Sequence, residues 1–397
     1  REEVRAMLLD DAEVVLTTLC SAGLECFAKM KTGFDTLIVD EACQAVEAAA
    51  LIPLRLSPRR CILVGDPKQL PATVISQAAS AKIYQRSLFE RLQAAGHAVV
   101  MLDTQYRMHP SIRQFPSEYF YSGALKDAEG LDRRTAPYQA DPWVGTVRFF
   151  DLVRSREQRT AGNSLRNPEE AALVVNLLGY LFALFSKNGE LNGQVAVLTP
   201  YKQQKSELVR AIRHAYGELA VRDSEDPRNS KSPNQRHPQQ QGGAGAQAIE
   251  AEGASGGRVR GVDVMTVDSC QGQERDIILF SCVRASERGI GFVSDVRRMN
   301  VGLTRARHAL LVIGNASALQ ISPPWAALIR SLAARRALTP LPSPNVDLRA
   351  PPPPPALEYL RDRERAGLAE GEEPERDGQS SKMEIDVDGI SDREREG

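Results

Sequence analysis

Two kinds of pattern are missing from this 397-residue sequence, and each absence excludes a class of protein. The six cysteines include no Cys-x-x-Cys pair, which argues against a zinc ribbon and against a dithiol redox site. No apolar run approaches the length of a membrane span, and the N-terminal residues lack the basic and then apolar layout of a secretory signal. We therefore expect an intracellular protein without membrane contact, whose thiols are reduced and mostly buried.

A phosphate loop is also missing. The string Gly-x-x-x-x-Gly-Lys-Ser/Thr, whose backbone amides and lysine cradle a triphosphate, does not occur. The five histidines show no spacing typical of zinc ligands. These absences leave open a protein that holds nucleic acid or a partner without catalysing a reaction.

Charge is unevenly distributed, although the formal net charge is only −1. Residues 339–397 contain 8 basic and 15 acidic side chains, which leaves 42 basic and 36 acidic side chains in the residues before them. A mildly cationic body suits a groove for a polyanion but does not demonstrate one. The length allows two or three domains, and a hydrophobic content of 42% is ordinary for a globular chain.

Short apolar runs alternate with helical patterns along most of the chain, which predicts an α/β fold with parallel sheets covered on both faces. Strands are predicted near Val14–Thr18, Thr36–Val39, Cys61–Val64, Val99–Leu102, Val147–Phe150, Val195–Leu198, Val262–Val267, Ile277–Cys282 and Ala309–Ile313. Two α/β units in tandem fit this order, the first at residues 1–102 and the second at residues 103–338.

Two segments are predicted to be disordered. Residues from about 223 to 257 contain one large aliphatic side chain, Ile249, among Gln, Gly, Ser, Asn and Pro, so they cannot bury enough apolar surface to offset their ordering entropy. Residues 339–397 begin with a proline-rich stretch and continue as a charged low-complexity tail. The tail is expected to be a solvated spacer, with partner docking as the alternative.

Six short strings carry carboxylate, amide or guanidinium groups at points where a predicted strand appears to end. They are Asp40-Glu41-Ala42-Cys43-Gln44, Gly65-Asp66-Pro67-Lys68-Gln69-Leu70-Pro71, Gln105-Tyr106-Arg107-Met108-His109-Pro110, Thr199-Pro200-Tyr201-Lys202-Gln203-Gln204, Thr266-Val267-Asp268-Ser269-Cys270-Gln271-Gly272-Gln273-Glu274 and Asn300-Val301-Gly302-Leu303-Thr304-Arg305-Ala306-Arg307. Ligands in open α/β sheets lie beyond the carboxyl ends of strands, so these strings are the candidate functional sites.

Taken in this order, the six strings resemble the boxes of superfamily 1B helicases, and the flanking sequence resembles the senataxin group most. The resemblance implies two RecA-like domains in tandem, ATP and Mg²⁺ as cofactors, and single-stranded RNA or DNA and RNA/DNA hybrids as partners. It further implies 5′ to 3′ unwinding of nascent RNA or R-loops in the nucleus, with transcription or RNA-processing proteins as possible partners of the tail. Only 39 residues precede Asp40, so the chain resembles the C-terminal portion of such a helicase, with its first domain N-terminally truncated.

The resemblance also assigns roles in ATP hydrolysis. Asp40 would hold Mg²⁺, through water, and Glu41 would be the general base that orients the attacking water. Gln69 would sense the γ-phosphate. Arg107 and Arg305 would stabilise charge on the transferring group, a task for which planar guanidinium is suited. For Asp40 the alternative is a helix N-cap, and Arg305 has a solvated or RNA-facing position as its alternative.

Three further residues would contact the nucleotide. By resemblance Gln105 touches the nucleotide and Glu274 the ribose, with Gly272 allowing close approach of the backbone. An ordinary hydrogen-bonded glutamine is a fair rival for Gln105. Cys270 stands where the family often has an aromatic residue, which puts the local packing in doubt.

Short hydroxyl and basic residues at loop ends can hold phosphates without reading bases. The positions that match the family's RNA-contacting boxes are Thr18, Ser21, Thr199, Pro200, Tyr201, Lys202, Thr266 and Ser269. Individually each is better explained as a cap or turn residue than as a ligand contact, but as an ordered set they predict the path of one strand across two domains. His109, which precedes Pro110 at a predicted helix start, is predicted to be a capping or packing residue and not a metal ligand.

Overall fold

The computed structural model describes residues 2–76, 84–160, 164–185, 191, 193–222, 259–286 and 289–353. The insertion predicted at residues 223–257 and most of the predicted tail lie outside the described residues. We call the described residues up to 102 the first lobe and those from 103 to 353 the second lobe.

The helices and strands alternate as the sequence predicts. The described α-helices are α1 (Glu2–Asp10), α2 (Glu25–Ala28), α3 (Glu47–Leu51), α4 (Leu88–Ala94), α5 (Pro110–Phe120), α6 (Pro168–Phe185), α7 (Lys202–Tyr216), α8 (Val296–Leu303), α9 (Ala316–Leu319) and α10 (Pro323–Ala334). The described strands are β1 (Thr36–Val39), β2 (Arg60–Leu63), β3 (Thr104–Gln105), β4 (Lys126–Asp127), β5 (Val147–Leu152), β6 (Gln158–Arg159), β7 (Leu165–Arg166), β8 (Val195–Thr199), β9 (Val221–Arg222), β10 (Val262–Thr266), β11 (Arg275–Ser281), β12 (Ala306–Gly314) and β13 (Leu338–Leu341).

A seven-stranded sheet forms the second lobe, in the order β13-β5-β12-β11-β8-β10-β9. All its pairings are parallel. Its strands are apolar and rich in Val, Ile and Leu because helices cover both faces. On one face of the sheet, Val197 and Leu279 pack in a core that includes α6 and α7. The next residue of β11, Phe280, points to the opposite face and stacks on Trp325 of α10, with ring centroids 6.0 Å apart. The predicted α/β class with parallel sheets is confirmed by this architecture.

Helix α6 corrects one expectation. It is long and apolar enough to cross a membrane by length and composition alone, although no such run was expected from the sequence. Its side chains Leu177, Leu181 and Phe182 are nevertheless fully buried in the core beside the sheet. The core helix of a globular domain passes the same test, so the packing assigns α6 to the interior of the second lobe.

The first lobe contains a much smaller sheet. Strands β1 and β2 pair in parallel, with Thr36 opposite Arg60 and Val39 opposite Leu63. The strands predicted at Val14–Thr18 and Val99–Leu102 are wrong, because neither segment is in a strand. Among the described residues neither joins a ladder that would satisfy its backbone groups, so apolar composition alone did not make a strand.

The boundary predicted at residue 338 is also wrong. Strand β13 crosses it and pairs with β5, with Leu338 opposite Phe149 and Leu341 opposite Leu152. Pro340 lies inside this strand, which is possible because β13 is at the edge of the sheet and Pro340 needs no second partner. The folded part of the second lobe therefore extends beyond residue 338.

Candidate functional site

Two acidic residues follow β1 directly. Glu41 has a left-handed backbone (φ 51°), which costs energy for a residue other than glycine. Two hydrogen bonds support it: the Glu41 amide donates to Asp40 Oδ1 (3.0 Å) and Gln44 Nε2 donates to Glu41 Oε2 (2.7 Å). Helix α3 begins after its N-cap residue Val46, so the alternative that Asp40 caps this helix is wrong. The turn instead holds both carboxylates at the end of the strand.

Asp40 has the chemistry expected of a Mg²⁺ ligand. Proteins commonly bind this ion through one or two carboxylates, and water and substrate phosphates complete its shell. Asp40 and Glu41 supply such a pair and are exposed. Among the described residues there is no group of three or more His, Cys, Asp or Glu that could hold a metal, so the donor set fits a magnesium–nucleotide complex better than an ion held by protein alone.

Gln69 lies between the two lobes. Its Nε2 donates to Asp66 Oδ2 (2.8 Å), and its Oε1 accepts a hydrogen bond from Arg305 Nη2 of the second lobe (3.2 Å). Tyr121 at the end of α5 donates to the same Asp66 oxygen (2.6 Å). Burial, followed by the negative charge of Asp66, raises the pKa of Tyr121. The turn that carries Gln69 is therefore fastened to the second lobe at two points.

Asn300 of α8 adds a third fastening. Its Nδ2 donates to the Tyr121 hydroxyl (2.7 Å) and to the Lys68 carbonyl (3.0 Å). Sequence reasoning gave no role to Asp66, Tyr121 or Asn300. Asp66 and Asn300 lie inside two of the six strings, but nothing in the sequence indicated that Tyr121 would join them.

Arg305 is 4% exposed, and the solvated alternative for it is wrong in this conformation. It donates to the Val301 carbonyl (3.0 Å) and to Thr304 Oγ1 (3.1 Å) in addition to Gln69. Burial, and then the nearby charge of Arg107, lowers the pKa of Arg305. These hydrogen bonds hold the buried guanidinium of Arg305 in a fixed position at the junction of the lobes.

Glu274 is held between two arginines. Its carboxylate accepts from Arg107 Nε and from Arg307 Nη2, the latter at 2.7 Å, and Arg307 also pairs with Asp276 (3.1 Å). Burial alone would raise the pKa of Glu274, but the hydrogen bonds from Arg307 and Arg107 outweigh it and lower the pKa. Gly272 precedes this cluster with a φ of 75°, a conformation that favours glycine.

Gln105 supports the turn that carries Arg107. Its Oε1 accepts from the amides of Arg107 (3.0 Å) and Met108 (2.7 Å), and its Nε2 donates to the Met108 carbonyl (2.8 Å) and to Asp127 (2.7 Å). These bonds match the interpretation of Gln105 as an ordinary hydrogen-bonded glutamine, and a nucleotide contact stays a prediction. His109 caps α5 by accepting from the Ser111 amide (3.2 Å), which confirms its predicted capping role.

The residues predicted to contact nucleic acid form two groups. Thr199 and Thr266 end the paired strands β8 and β10, opposite each other, and Pro200, Tyr201 and Lys202 lead from β8 into α7. Thr266 Oγ1 donates to Ser269 Oγ (3.0 Å). In the first lobe, Thr18 donates to Ser21 (2.9 Å).

Within the second-lobe group, accessibility differs. Thr199 and Tyr201 are buried, and the Tyr201 hydroxyl donates to the Ile290 carbonyl (3.2 Å). Lys202 is exposed. In this conformation Thr199 and Tyr201 shape the end of the sheet, while Lys202 is accessible to a phosphate.

The residues of the second lobe that face the first lobe and those proposed to contact nucleic acid lie at opposite ends of the seven-stranded sheet. Thr199 and Thr266 are at the C-terminal ends of their strands, whereas Glu274 precedes β11 and Arg305 precedes β12. The expectation that all six strings follow a strand is therefore wrong for the last of them and for Gly272-Gln273-Glu274. Since neighbouring strands are parallel, the residues facing the first lobe gather at one rim and the nucleic-acid candidates at the other.

Comparison with known proteins shows the family to which the chain belongs. A family model described as an AAA domain matches residues 84–317, which is more than half of the chain. The chain belongs to this AAA domain family. A second model, also described as an AAA domain, matches residues 1–77.

Similar proteins include helicases from a plant and two yeasts. The chain is 39% identical to probable helicase MAGATAMA 3 of Arabidopsis thaliana over 85% of this chain and 37% of that protein. It is 37% identical to helicase sen1 of Schizosaccharomyces pombe over 87% of this chain and 18% of that protein, and 36% identical to helicase SEN1 of Saccharomyces cerevisiae over 85% and 14%. The resemblance to senataxin-like helicases is confirmed. The chain spans well under half the length of these relatives.

A solved structure of the C-terminal domain of a possible DNA helicase from Lactobacillus plantarun WCFS1 matches with a TM-score of 0.30 at 15% identity. The match covers 59% of this chain and 98% of that chain. The fold assignment rests on the strand order and pairing described above.

Proposed function

We propose that this chain forms most of the motor core of an ATP-dependent 5′ to 3′ RNA/DNA helicase of the senataxin type. The observation that carries the proposal is the hydrogen bond between Gln69 and the buried Arg305, which joins the acid-bearing lobe to the arginine-bearing lobe at 3.2 Å. Hydrolysis of a triphosphate at such a junction needs a positioned base on one side and cationic groups on the other. Glu41 and Arg305 meet this need.

In the proposed mechanism the chain's own residues position the reacting groups. Glu41, oriented by Gln44, accepts a proton from the attacking water, and Gln69 detects the γ-phosphate. Arg305 and Arg107 stabilise the charge that develops on the transferring group. Mg²⁺, held by Asp40 through water, would neutralise charge on the β- and γ-phosphate oxygens. Gln105, Gly272 and Glu274 would complete the nucleotide contacts.

Loss of the γ-phosphate would change the contacts of Gln69, and through Arg305 and Tyr121 this change would reach the second lobe. The proposed contacts to a single strand are at the far rim of the same sheet, at Thr199, Pro200, Tyr201, Lys202, Thr266 and Ser269, and in the first lobe at Thr18 and Ser21. Action on nascent RNA or R-loops, and a location in the nucleus, belong to the same proposal and rest on the resemblance.

The test supplies a phosphate loop. The chain is fused behind an upstream segment that carries a strand and a Gly-x-x-x-x-Gly-Lys-Ser/Thr loop, and RNA-stimulated ATP hydrolysis and unwinding of an RNA/DNA hybrid are measured. Glu41→Gln should reduce hydrolysis by roughly 100-fold or more, since loss of a general base typically costs that much. Glu47→Gln, an equal change in charge on α3, is the matched control and should leave the rate unchanged. Equal rates for Glu41→Gln and the wild-type fusion would refute the assignment.

A second candidate function is a catalytically inactive module that binds nucleic acid or a protein partner. Residues 1–397 contain no phosphate loop, so this candidate concerns these residues alone and not a longer protein that contains them. Titration of the unfused chain with ATP and Mg²⁺ separates the two candidates. Micromolar binding with turnover would exclude the inactive module, whereas binding of single-stranded RNA without any turnover would support it.

A further inference from the structure

A groove with a volume of about 780 Å³ runs along helix α7. One end is lined by Lys202 and Thr266, two of the residues proposed to contact nucleic acid, and the lining continues along α7 to Arg213 and His214. The groove is therefore continuous with the proposed nucleic-acid rim of the sheet and extends away from it.

The lining is predominantly cationic. Three basic side chains that are not buried, Lys202, Arg210 and Arg213, and the buried Lys205 line the groove together with one acidic side chain, Glu218. Val209 is the only large apolar residue among those that line the groove. Because a protein segment generally docks through apolar anchors, a groove with this composition favours a polyanion over a folded partner.

The ion pairs within the groove are of the kind that a phosphate can displace. Arg210 pairs with Glu207, but 71% of the Arg210 side chain is exposed, and Glu207 keeps a second partner in Arg166 (3.1 Å). Arg213 pairs with Glu218, whose side chain is 80% exposed (3.1 Å). Each pair has one exposed partner, Arg210 or Glu218, and one that is more buried, Glu207 (6% exposed) or Arg213 (25% exposed). A phosphate can therefore reach the Arg210 guanidinium from solvent while Glu207 keeps Arg166 as its partner.

The spacing suits a strand of regularly placed charges. Lys202, Ser206, Arg210 and Arg213 follow one another at intervals of four, four and three residues, which places them on one face of the helix. At about 1.5 Å per residue they span about 16 Å. A stacked nucleic-acid strand carries one phosphate per about 3.4 Å, so about five phosphates match this length.

We propose that the α7 groove holds the phosphates of a single strand of nucleic acid as it leaves the rim formed by Thr199, Lys202, Thr266 and Ser269. This proposal rests on the proposed nucleic-acid binding and extends it to a surface outside the six strings. The contacts are with phosphates, so binding in the groove is independent of base sequence.

The test is fluorescence anisotropy of the unfused chain with single-stranded RNA of one mixed sequence, in lengths of roughly 8 and roughly 16 nucleotides. Ser206→Glu places a negative charge on an exposed groove position and breaks none of the ion pairs. Ala215→Glu makes the same change on the same helix at an exposed residue outside the groove lining. Thermal unfolding of both variants checks that the fold is retained.

Ser206→Glu should weaken binding of the longer RNA by roughly fivefold and lower the slope of log K against log salt by about 0.7 per lost phosphate contact. The shorter RNA, which the rim alone can hold, should bind both variants like the wild type. Arg210→Gln should act in the same direction as Ser206→Glu, while Arg59→Gln, an equal loss of charge on the first lobe, should not.

Equal binding of the longer RNA by Ser206→Glu and Ala215→Glu would contradict the proposal that the groove binds phosphates. The proposed function would still stand if the wild type binds this RNA. Failure of the wild type to bind either RNA at low salt would overturn both. An acidic peptide of poly-glutamate is the remaining probe. If Ser206→Glu weakens binding of this peptide but not of RNA, the groove belongs to an acidic protein segment and the proposal is wrong.

Discussion

The two lobes contain strands of similar composition in very different surroundings. In the second lobe Val197 and Leu279 are fully buried between layers of helices, whereas in the first lobe Ile38 is 63% exposed and Ile62 is 47% exposed. Both sheets are parallel. Apolar composition and parallel pairing therefore do not by themselves produce a core, because the strands also need cover on both faces.

Polar contacts compensate in part for the open first lobe. Besides the Asp66–Tyr121 bond, Arg297 of α8 pairs with Glu90 of α4 at 2.8 Å. These contacts tie the first lobe to the second, so its strands are expected to depend on the second lobe for order. Four predictions test how the stability of the two lobes differs.

The largest effect is expected in the core of the second lobe. Leu279→Ala should lower the free energy of unfolding by about 2–5 kcal/mol, because it removes a buried side chain and leaves a cavity in the central strand β11. Ile38→Ala, the corresponding change in the first lobe, should cost less than about 1 kcal/mol because the side chain is largely exposed. Urea unfolding followed by circular dichroism measures both. Equal losses would mean that the first-lobe sheet is covered in solution.

The next effect concerns the link between the lobes. Tyr121→Phe removes the hydroxyl that donates to Asp66 and accepts from Asn300, which should cost about 1–3 kcal/mol. The loss should appear as faster amide exchange in residues 60–70, with protection of β8 and β11 unchanged. Tyr119→Phe on the same helix is the control. Slower or unchanged exchange in Tyr121→Phe would show that the first lobe is ordered independently.

A pH-dependent effect is expected from the core alone. Glu170 is buried and accepts from Ser281 Oγ (2.6 Å) and the Val283 amide (2.9 Å). Burial raises its pKa to about 8, although these hydrogen bonds oppose the rise. The folded state thus keeps a proton that the unfolded state releases, so stability should fall as the pH rises toward 8, by at most about 1.4 kcal/mol per pH unit.

Glu170→Gln should remove this pH dependence, because an amide resembles the protonated acid and does not titrate. Glu169→Gln, at the neighbouring position of α6, should leave it intact. Urea midpoints between about pH 5 and about pH 8.5 provide the measurement. A wild-type midpoint that rises over this interval would contradict the raised pKa of Glu170.

The smallest effect is expected on the surface of the first lobe. Arg91 Nε pairs with Glu47 at 2.8 Å, but both side chains are accessible to water. Arg91→Gln should leave the urea midpoint unchanged, because solvent screens such pairs. Asp263→Asn in the second lobe should lower the midpoint, since the buried Asp263 accepts from both Arg222 and Arg275. Similar urea midpoints for the two variants would mean that the exposed and the buried ion pair contribute equally to stability.

The sequence predicted the second lobe better than the first. The strands expected at Val195–Leu198, Val262–Val267 and Ala309–Ile313 all occur, with ends that differ by no more than a few residues, because burial on both faces gives long uninterrupted apolar runs. The segments Val14–Thr18 and Val99–Leu102 have the same composition and form no strand. Whether such a run becomes a strand depends on neighbours that composition does not reveal.

The candidate site also contains contacts that were predicted from the sequence and contacts that were not. The resemblance to a helicase family implied that Gln69 and Arg305 serve one site, and the two lie side by side although 236 residues separate them. The role of Tyr121 could not be predicted, because its hydroxyl meets Asp66 only through the packing of α5 against the turn, 55 residues away. Strings of polar residues indicated candidate residues for a site, whereas the position of a supporting side chain such as Tyr121 depends on the packing of the helices.

The edge strands of the seven-stranded sheet have a consequence for self-association. One edge strand is β13, where Pro340 has no amide hydrogen to donate, and the other is β9, of which two residues lie in the described part of the chain. Neither is a good template on which a strand from another molecule could grow. The exposed β1–β2 ladder has no such protection among the described residues, so aggregation in concentrated solution is expected to begin there.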